Sequence, residues 1–298
     1  MDPLVSICVV TYNSAEYVTE TLNSILQQSY PNIEVIISDD NSKDNTIDIC
    51  NEWIEKNKTS FKNVSLVRSE SNTGVAGNLN RAIKTSKGIW IKGIAGDDIL
   101  YPDCILKFVN FIKNNPRCKV VEGKVTCFGE DELLVYNMQN FQEGLGRYYN
   151  KDRRQMYKDA LTTVILAGPA LFYKRDIWEL VGGFDEKYPC SEEFPFQVKV
   201  LSNNDVYYMN DYVVKYRINP KSLSRNRRSR CADDTYKYFI EERGKLMLKE
   251  KLYMAWFDEY IRYIVYINQL PYLCSKLLLN FSPLLWKKRL LKLLRNNF

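Results

Sequence analysis

Histidine is missing from all 298 residues. No imidazole can therefore act as acid, base or metal ligand, which excludes Ser-His-Asp and Cys-His nucleophile systems and the histidine-based zinc hydrolases. Chemistry is left to carboxylates, Lys, Arg, Tyr, Cys and metals held by oxygen. No C-x-x-C pair occurs among the eight cysteines, Cys8, Cys50, Cys104, Cys118, Cys127, Cys190, Cys231 and Cys274. They are scattered, several inside apolar runs as buried free thiols are, which argues against zinc or a disulfide framework and for a reducing compartment. No window reaches the roughly 18 uninterrupted apolar residues of a spanning helix. The opening "MDPLVSICVVTYNS" has no basic leader and no cleavage site, so a signal peptide is not expected. The charge excess is also small, +6, which suits an anionic ligand or a membrane surface but falls short of a nucleic-acid protein.

What is present is enough apolar residue, 45%, for a substantial core. The first third alternates two patterns. "VSICVVTY", "IEVIISDD", "VSLVRS" and "IWIKGIA" read as strands. "SAEYVTETLNSILQQ", "NSKDNTIDICNEWIEKN", "VAGNLNRAIKTS" and "PDCILKFVNFIKNN" read as helices between and after them. Strands apolar on both faces and alternating with helices predict an α/β fold with a mostly parallel sheet covered on both sides. In such sheets a ligand lies beyond the carboxyl ends of the strands. Polar residues gather there: Thr11, Tyr12 and Asn13 after the first strand, Asp39 and Asp40 after the second, Asp97 and Asp98 after the fourth. From about residue 118 the regularity fades. "CKVVEGKVTCFG" reads as a strand, and "YNMQNFQEGLGRYYNKDRRQ", polar and glycine-containing, reads as a mobile loop over the site. A strand, a short helix and a glycine turn follow in "ALFYKRDIWELVGGFDEKY". "EEFPFQVKVL" is a helix opening with acids, and "DVYYMNDYVVKYRI" is strand-like. Residues 229–298 read as a helical extension ending in a basic amphipathic segment, in which Lys287, Lys288, Arg289, Lys292 and Arg295 interleave with leucines.

"VSICVVTYN", "VIISDDNSKDNT", "NTGVAGNLNRAI", "IAGDDILYP" and "GGFDE" followed by "SEEFPFQVKVL" come in an order that resembles the family 2 inverting glycosyltransferases, over roughly residues 4–225. The resemblance is to bacterial enzymes that build surface polysaccharide such as capsule or O-antigen. It implies the GT-A nucleotide-diphospho-sugar transferase fold, with a transferase domain over 1–228 divided into a nucleotide-binding half, 1–117, and an acceptor half, 118–228. It implies a UDP-sugar donor, a saccharide acceptor carried on a lipid, and Mn²⁺ or Mg²⁺ as cofactor.

Residue by residue, the resemblance implies that Asp98 holds the metal and that Asp97 faces the ribose or donor sugar. A divalent cation bridging the phosphates would neutralise the leaving group, and such ions prefer carboxylate and phosphate oxygens. Gly96 would let the backbone approach the nucleotide. Asp39 is implied as acceptor for the uracil imide N–H, while Asp40, with Asn41, Ser42 and Asp44, reads as a turn organiser that caps the next helix. Thr11, Tyr12, Asn13, Gly74, Asn78 and Arg81 fall in nucleotide-adjacent segments, the start of the helix after "NTG" offering amides to an anion. Inverting transfer needs one carboxylate base. The family shows Glu-Asp where this chain has Glu192-Glu193, so Glu193 is the aligned base and Glu192 the reserve. Gly168 and Pro169 form a turn on the acceptor side. The chain departs from the family at Ala95, where an acid is usual, and at Asn219, where a histidine is usual, leaving Lys221, Ser222 and Arg225 as partners for the diphosphate. The basic tail suits the inner face of the cytoplasmic membrane, or contact with a second subunit. A sugar-nucleotide pyrophosphorylase lacks its glycine-rich basic loop here. A non-catalytic saccharide-binding subunit is the remaining alternative.

Overall fold

The structure, a computed structural model, describes residues 2–149, 151–219, 230–269 and 282–283. Its first strands are β1 (Val5–Thr11), β2 (Ile33–Asp39), β3 (Asn63–Arg68) and β4 (Trp90–Ala95). β1 and β2 are buried at nearly every position, as β-branched runs covered on both faces should be. β3, β2, β1 and β4 lie side by side and parallel, with Thr11 beside Asp39 and Val10 beside Ala95. This register brings the three predicted polar ends to one edge. The crossovers are α1 (Val18–Leu26), α2 (Thr46–Asn57) and α3 (Gly74–Thr85), and α4 (Cys104–Asn114) follows the two-residue strand β5 (Ile99–Leu100).

The second half continues the same sheet with mixed pairing. β6 (Val120–Phe128), β7 (Leu171–Lys174) and β8 (Tyr207–Arg217) complete the order β3-β2-β1-β4-β7-β6-β8-β5. β7 runs antiparallel to β4 and β6, β6 parallel to β8, and β5 antiparallel to β8. The helices are α5 (Glu132–Leu145), α6 (Arg153–Ala160), α7 (Arg175–Leu180) and α8 (Glu193–Asn203). The segment expected to be a mobile loop is thus largely helical: α5, a 3₁₀ turn Gly146–Tyr148 and the start of α6. Its signal is in the caps. The Asp131 side chain accepts from the Leu134 N–H at 2.9 Å and Asp152 from the Gln155 N–H at 3.0 Å. Leu134, Met138 and Leu145, at helical spacing, then face the core.

The C-terminal region is helical, as expected: α9 (Arg230–Tyr238), a π turn Phe239–Arg243, α10 (Gly244–Lys249) and α11 (Tyr253–Ile267). It is packed on the domain. Phe239 and Met247 join the core, and buried Arg243 donates to Glu259 at 2.6 Å with its guanidinium 4.3 Å from the centre of the Phe194 ring. Among the described residues no helix is long and apolar enough to cross a membrane. The basic tail, Lys221, Ser222 and Arg225 lie outside the described residues. No disulfide joins the seven cysteines among the described residues, five of which are buried.

Asp40 ties the two layers together. It is 2% exposed and accepts from the Thr73 hydroxyl at 2.6 Å, the Thr73 and Gly74 amides at 2.9 and 2.8 Å, and Arg81 at 3.2 Å. It therefore caps α3, whereas the expected cap of α2 falls to Asp44, which accepts from the Thr46 N–H at 3.1 Å. Replacing Asp40 by Ala should leave buried donors and Arg81 unpaired and lower stability by about 2–3 kcal/mol. Urea unfolding should show this as a lower midpoint with an unchanged slope, and Asp40→Asn should lose less.

Candidate active site

At the ends of β1 and β2 the polar residues bind one another. Asp39, fully buried, accepts from the Thr11 hydroxyl at 2.9 Å, the Ser42 hydroxyl at 2.5 Å and the Ser42 amide at 2.8 Å. Asp39 thereby joins the ends of β1 and β2. Asn78 is buried as well, donating to the Thr11 carbonyl at 3.1 Å and accepting from Arg81 at 3.0 Å. Asn13, at φ 50°, donates its N–H to Ser42 and accepts from the Lys43 N–H, both at 2.8 Å. The α3 N-terminus is not open to an anion in this conformation. The Thr73 and Gly74 amides are taken by Asp40 and the Ala76 amide by the Pro189 carbonyl at 3.2 Å. Gly74 sits at φ 79°, where a Cβ would strike Pro189. Gly96 makes room for Thr11 and Ser14 of the neighbouring loop, not for a ligand. Of this group Tyr12, 42% exposed, presents an open aromatic face.

Asp97 and Asp98 stand after β4. Asp97 is half-buried and Asp98 fully buried. Burial raises both carboxyls, Asp97 raises Asp98 further, and Arg217 opposes both shifts. Asp98 Oδ1 accepts the Arg217 N–H at 2.9 Å, while Oδ2 is buried without a hydrogen-bond partner. Such an orphaned oxygen costs about 1–3 kcal/mol. A divalent cation would satisfy it and favour the ionised form. Among the described residues no group of three or more Asp, Glu, Cys or His side chains is placed to hold a metal. The pair thus offers one or two carboxylates, the number Mg²⁺-like ions take alongside phosphate and water. Arg217, which sequence reading passed over within "KYRINPKSLS", donates to the Asp97 carbonyl at 2.9 Å and to Glu20 at 2.6 Å, and lies over the Tyr17 and Phe128 rings. Its partners are distant in sequence.

Glu192 and Glu193 open α8. Burial pushes the Glu193 carboxyl up to about 7, the Gly168 N–H opposing. Burial and the neighbouring Glu193 push Glu192 to about 8. The backbone that faces them, residues 165–169, is held by side chains at several amides and carbonyls, while the Ala167 carbonyl accepts the Ala170 N–H at 2.9 Å. Gln197 accepts the Ile165 amide at 2.9 Å, Glu122 the Ala167 amide at 2.6 Å, and Glu193 the Gly168 amide. The ammonium of Lys92, fully buried on β4, donates to the Pro169 carbonyl at 2.5 Å. Gly168 is obligatory, since a Cβ there would overlap the Glu193 carboxyl. Lys92 and Glu122 were not found by sequence reading, because a charge inside an apolar strand looks like an exposed position.

Glu193 lines two spaces at once. A cavity of about 110 Å³ carries Val10 and Ala95 on its sheet side. A groove of about 880 Å³ is lined by Met138, Phe141 and Leu145 of α5, the 166–169 turn and Tyr216. Glu193 thus stands between the end of the strand that leads to Asp98 and an apolar trough beside Arg217. A carboxylate held near neutrality in that place can accept a proton from a hydroxyl lying in either space. Asp39 and Asn78 line neither.

The chain matches the profile of Glycosyl transferase family 2 over residues 6–181, more than half its length. An uncharacterized glycosyltransferase of Rickettsia typhi is 27% identical over 217 residues, which cover 72% of this chain and 64% of that protein. Chondroitin synthase of Pasteurella multocida is 27% identical over 209 residues, 70% of this chain and 20% of the synthase. The chain therefore spans less than two thirds of the one and a fifth of the other. Among solved structures, S. aureus TarS 1-349 in complex with UDP is similar with a TM-score of 0.58 at 20% identity, over 87% of this chain and 80% of that one. Mannosyltransferase PcManGT from Pyrobaculum calidifontis, in complex with GDP-Man and Mn²⁺, gives 0.54 at 22%, over 74% and 59%. These likenesses bear out the predicted GT-A fold. On the profile match, this chain belongs to the family 2 glycosyltransferases.

Proposed function

We propose that the protein moves a sugar from a UDP-sugar to a saccharide acceptor, on a lipid carrier, by inverting single displacement in the assembly of a bacterial surface polysaccharide such as capsule or O-antigen. The observation that carries the reading is the place of Glu193, a carboxylate raised to about 7 between the cavity under β4 and the apolar groove. Glu193 accepts the proton of the acceptor hydroxyl as that oxygen attacks the anomeric carbon. The bond from that carbon to the diphosphate breaks, and the proton stays on Glu193. Glu193 lines both the cavity and the groove whereas Glu192 lines only the cavity, which leaves Glu193 as the base.

On the donor side, Asp98 with its free Oδ2 is the residue assigned to Mn²⁺ or Mg²⁺, which when bound would neutralise charge on the leaving diphosphate. Asp97 faces the ribose or donor sugar, Tyr12 offers its ring to the base, and Thr11, Asn13, Asp39, Gly74 and Asn78 hold the strand ends in shape. The nucleotide-sugar complexes of TarS and PcManGT support a donor of this class. Residues 1–117 form the nucleotide half, 118–228 the acceptor half, and 229–298 an extension whose basic end meets the inner face of the cytoplasmic membrane or a second subunit.

Three outcomes are expected. Asp98→Asn removes Mn²⁺-dependent UDP binding in isothermal titration. Metal-linked heat equal to that of the unaltered chain would refute the metal assignment. Glu193→Gln keeps UDP binding and lowers turnover about 100- to 10,000-fold. In the unaltered enzyme kcat/KM should rise with pH through about 7 and level above it, because the base must be ionised.

A further inference from the structure

Beyond the Ala167–Gly168 turn lies a second enclosed space that the reaction does not use. It measures about 350 Å³, within the range of small-ligand pockets, and lies between β6, β8 and α5. The apolar groove runs along the other flank of α5, and the two spaces meet at Gln142 and Ala167. Its deepest polar group is Glu122. This side chain is fully buried; Oε1 accepts the Ala167 amide, and Oε2 has no partner within hydrogen-bond geometry although the Tyr149 hydroxyl lies beside the carboxyl. Burial pushes the carboxyl up to about 8, so at neutral pH it is mostly uncharged and can both donate and accept.

The rest of the polar lining is aromatic and amide, with one charge of each sign, Lys124 and Glu143. The Tyr149 and Tyr208 rings are stacked with centroids 3.7 Å apart. Lys124 lies over the Tyr212 ring, its Nζ 5.3 Å from the centroid. Gln142 stands at the passage to the groove. Holding one amide needs one acceptor oxygen, so that duty leaves the second oxygen of Glu122 and the space beside it unexplained. Flat aromatic faces suit the C–H faces of a sugar ring. A neutral carboxyl and an amide suit its hydroxyls, and a site built to bond a hydroxyl rejects a ligand lacking one.

We propose that this cavity is a saccharide subsite that binds an uncharged pyranose ring of the acceptor chain, next to the unit whose hydroxyl Glu193 activates. The proposal rests on the transferase reading above and adds to it where a second sugar lies. The test is saturation-transfer NMR on the full chain with free glucose, galactose and N-acetylglucosamine as probes, alongside UDP titration with Mn²⁺. Glu122→Gln keeps an acceptor for the Ala167 amide but leaves only N–H donors for the ring. Tyr208→Leu removes an aromatic face without touching the turn. At least one sugar should show transfer, each variant should weaken its binding at least fivefold, and UDP affinity should stay within twofold. No transfer to any of the three sugars, or binding undiminished in either variant, overturns the subsite. If Glu122→Gln does not fold, Tyr208→Leu decides alone. Sugar binding lost in the variants of a protein that never binds UDP would sink the donor reading and leave the subsite standing.

Discussion

An irregular stretch of buried backbone needs hydrogen-bond partners that no ladder supplies, and residues 165–169 draw on four side chains besides their own turn. Gln197 and Glu193 come from α8, Glu122 from β6 and Lys92 from β4. The segment thereby fastens the parallel half of the sheet to the mixed half. Because the partners must reach into an apolar interior, three of the four are ionisable groups, Glu122 and Lys92 fully buried and Glu193 partly so, and burial shifts each toward its neutral form: Glu122 and Glu193 upward, Lys92 downward. The same constraint that closes the fold therefore brings a carboxylate to the neutral range. It also dictates Gly168, whose missing side chain is the room that Glu193 occupies.

The other pole of the site follows a different logic. Asp39 and Asp40 are absorbed by the protein, one joining β1 to β2 through Thr11 and Ser42, the other capping α3 and pairing with Arg81. Their negative charge is spent on architecture. Asp98 keeps a buried oxygen without a partner, and Asp97 beside it opposes its ionisation. A carboxylate pair left in that condition favours an added cation. Arg217 already supplies part of that charge from β8, stacked between Tyr17 and Phe128. β4 runs between the two poles: Lys92 within it holds the Pro169 carbonyl, Ala95 at its end lines the cavity that Glu193 also lines, and the acid pair follows two residues later.

Much of this was legible in sequence where the signal is local. The parallel strands, their crossover helices, the acid pair after β4 and the paired glutamates opening α8 all follow from period, composition and strand-end polarity. The misreadings share one cause, long-range partnership. Asp40 looked like a cap for the nearer helix, yet its partners are Thr73, Gly74 and Arg81. The bonds from Thr11 and Ser42 to Asp39 likewise form only once the strands are in register. Arg217, Lys92 and Glu122 carry no local mark at all. Their roles are set by residues far along the chain. The helix α5 was within reach, since Asp131 as cap and Leu134, Met138 and Leu145 as a face are short-range features. Its glycines and amides outweighed them.

The claim on which the account turns is that packing at the 165–169 turn lifts the Glu193 carboxyl out of the ordinary range. Its own titration tests that directly, by carbon-13 NMR of the side-chain carboxyl assigned with a Glu193→Gln spectrum. The account predicts a midpoint near neutrality, about 7. A midpoint close to the usual value for glutamate, 4.5, would contradict it.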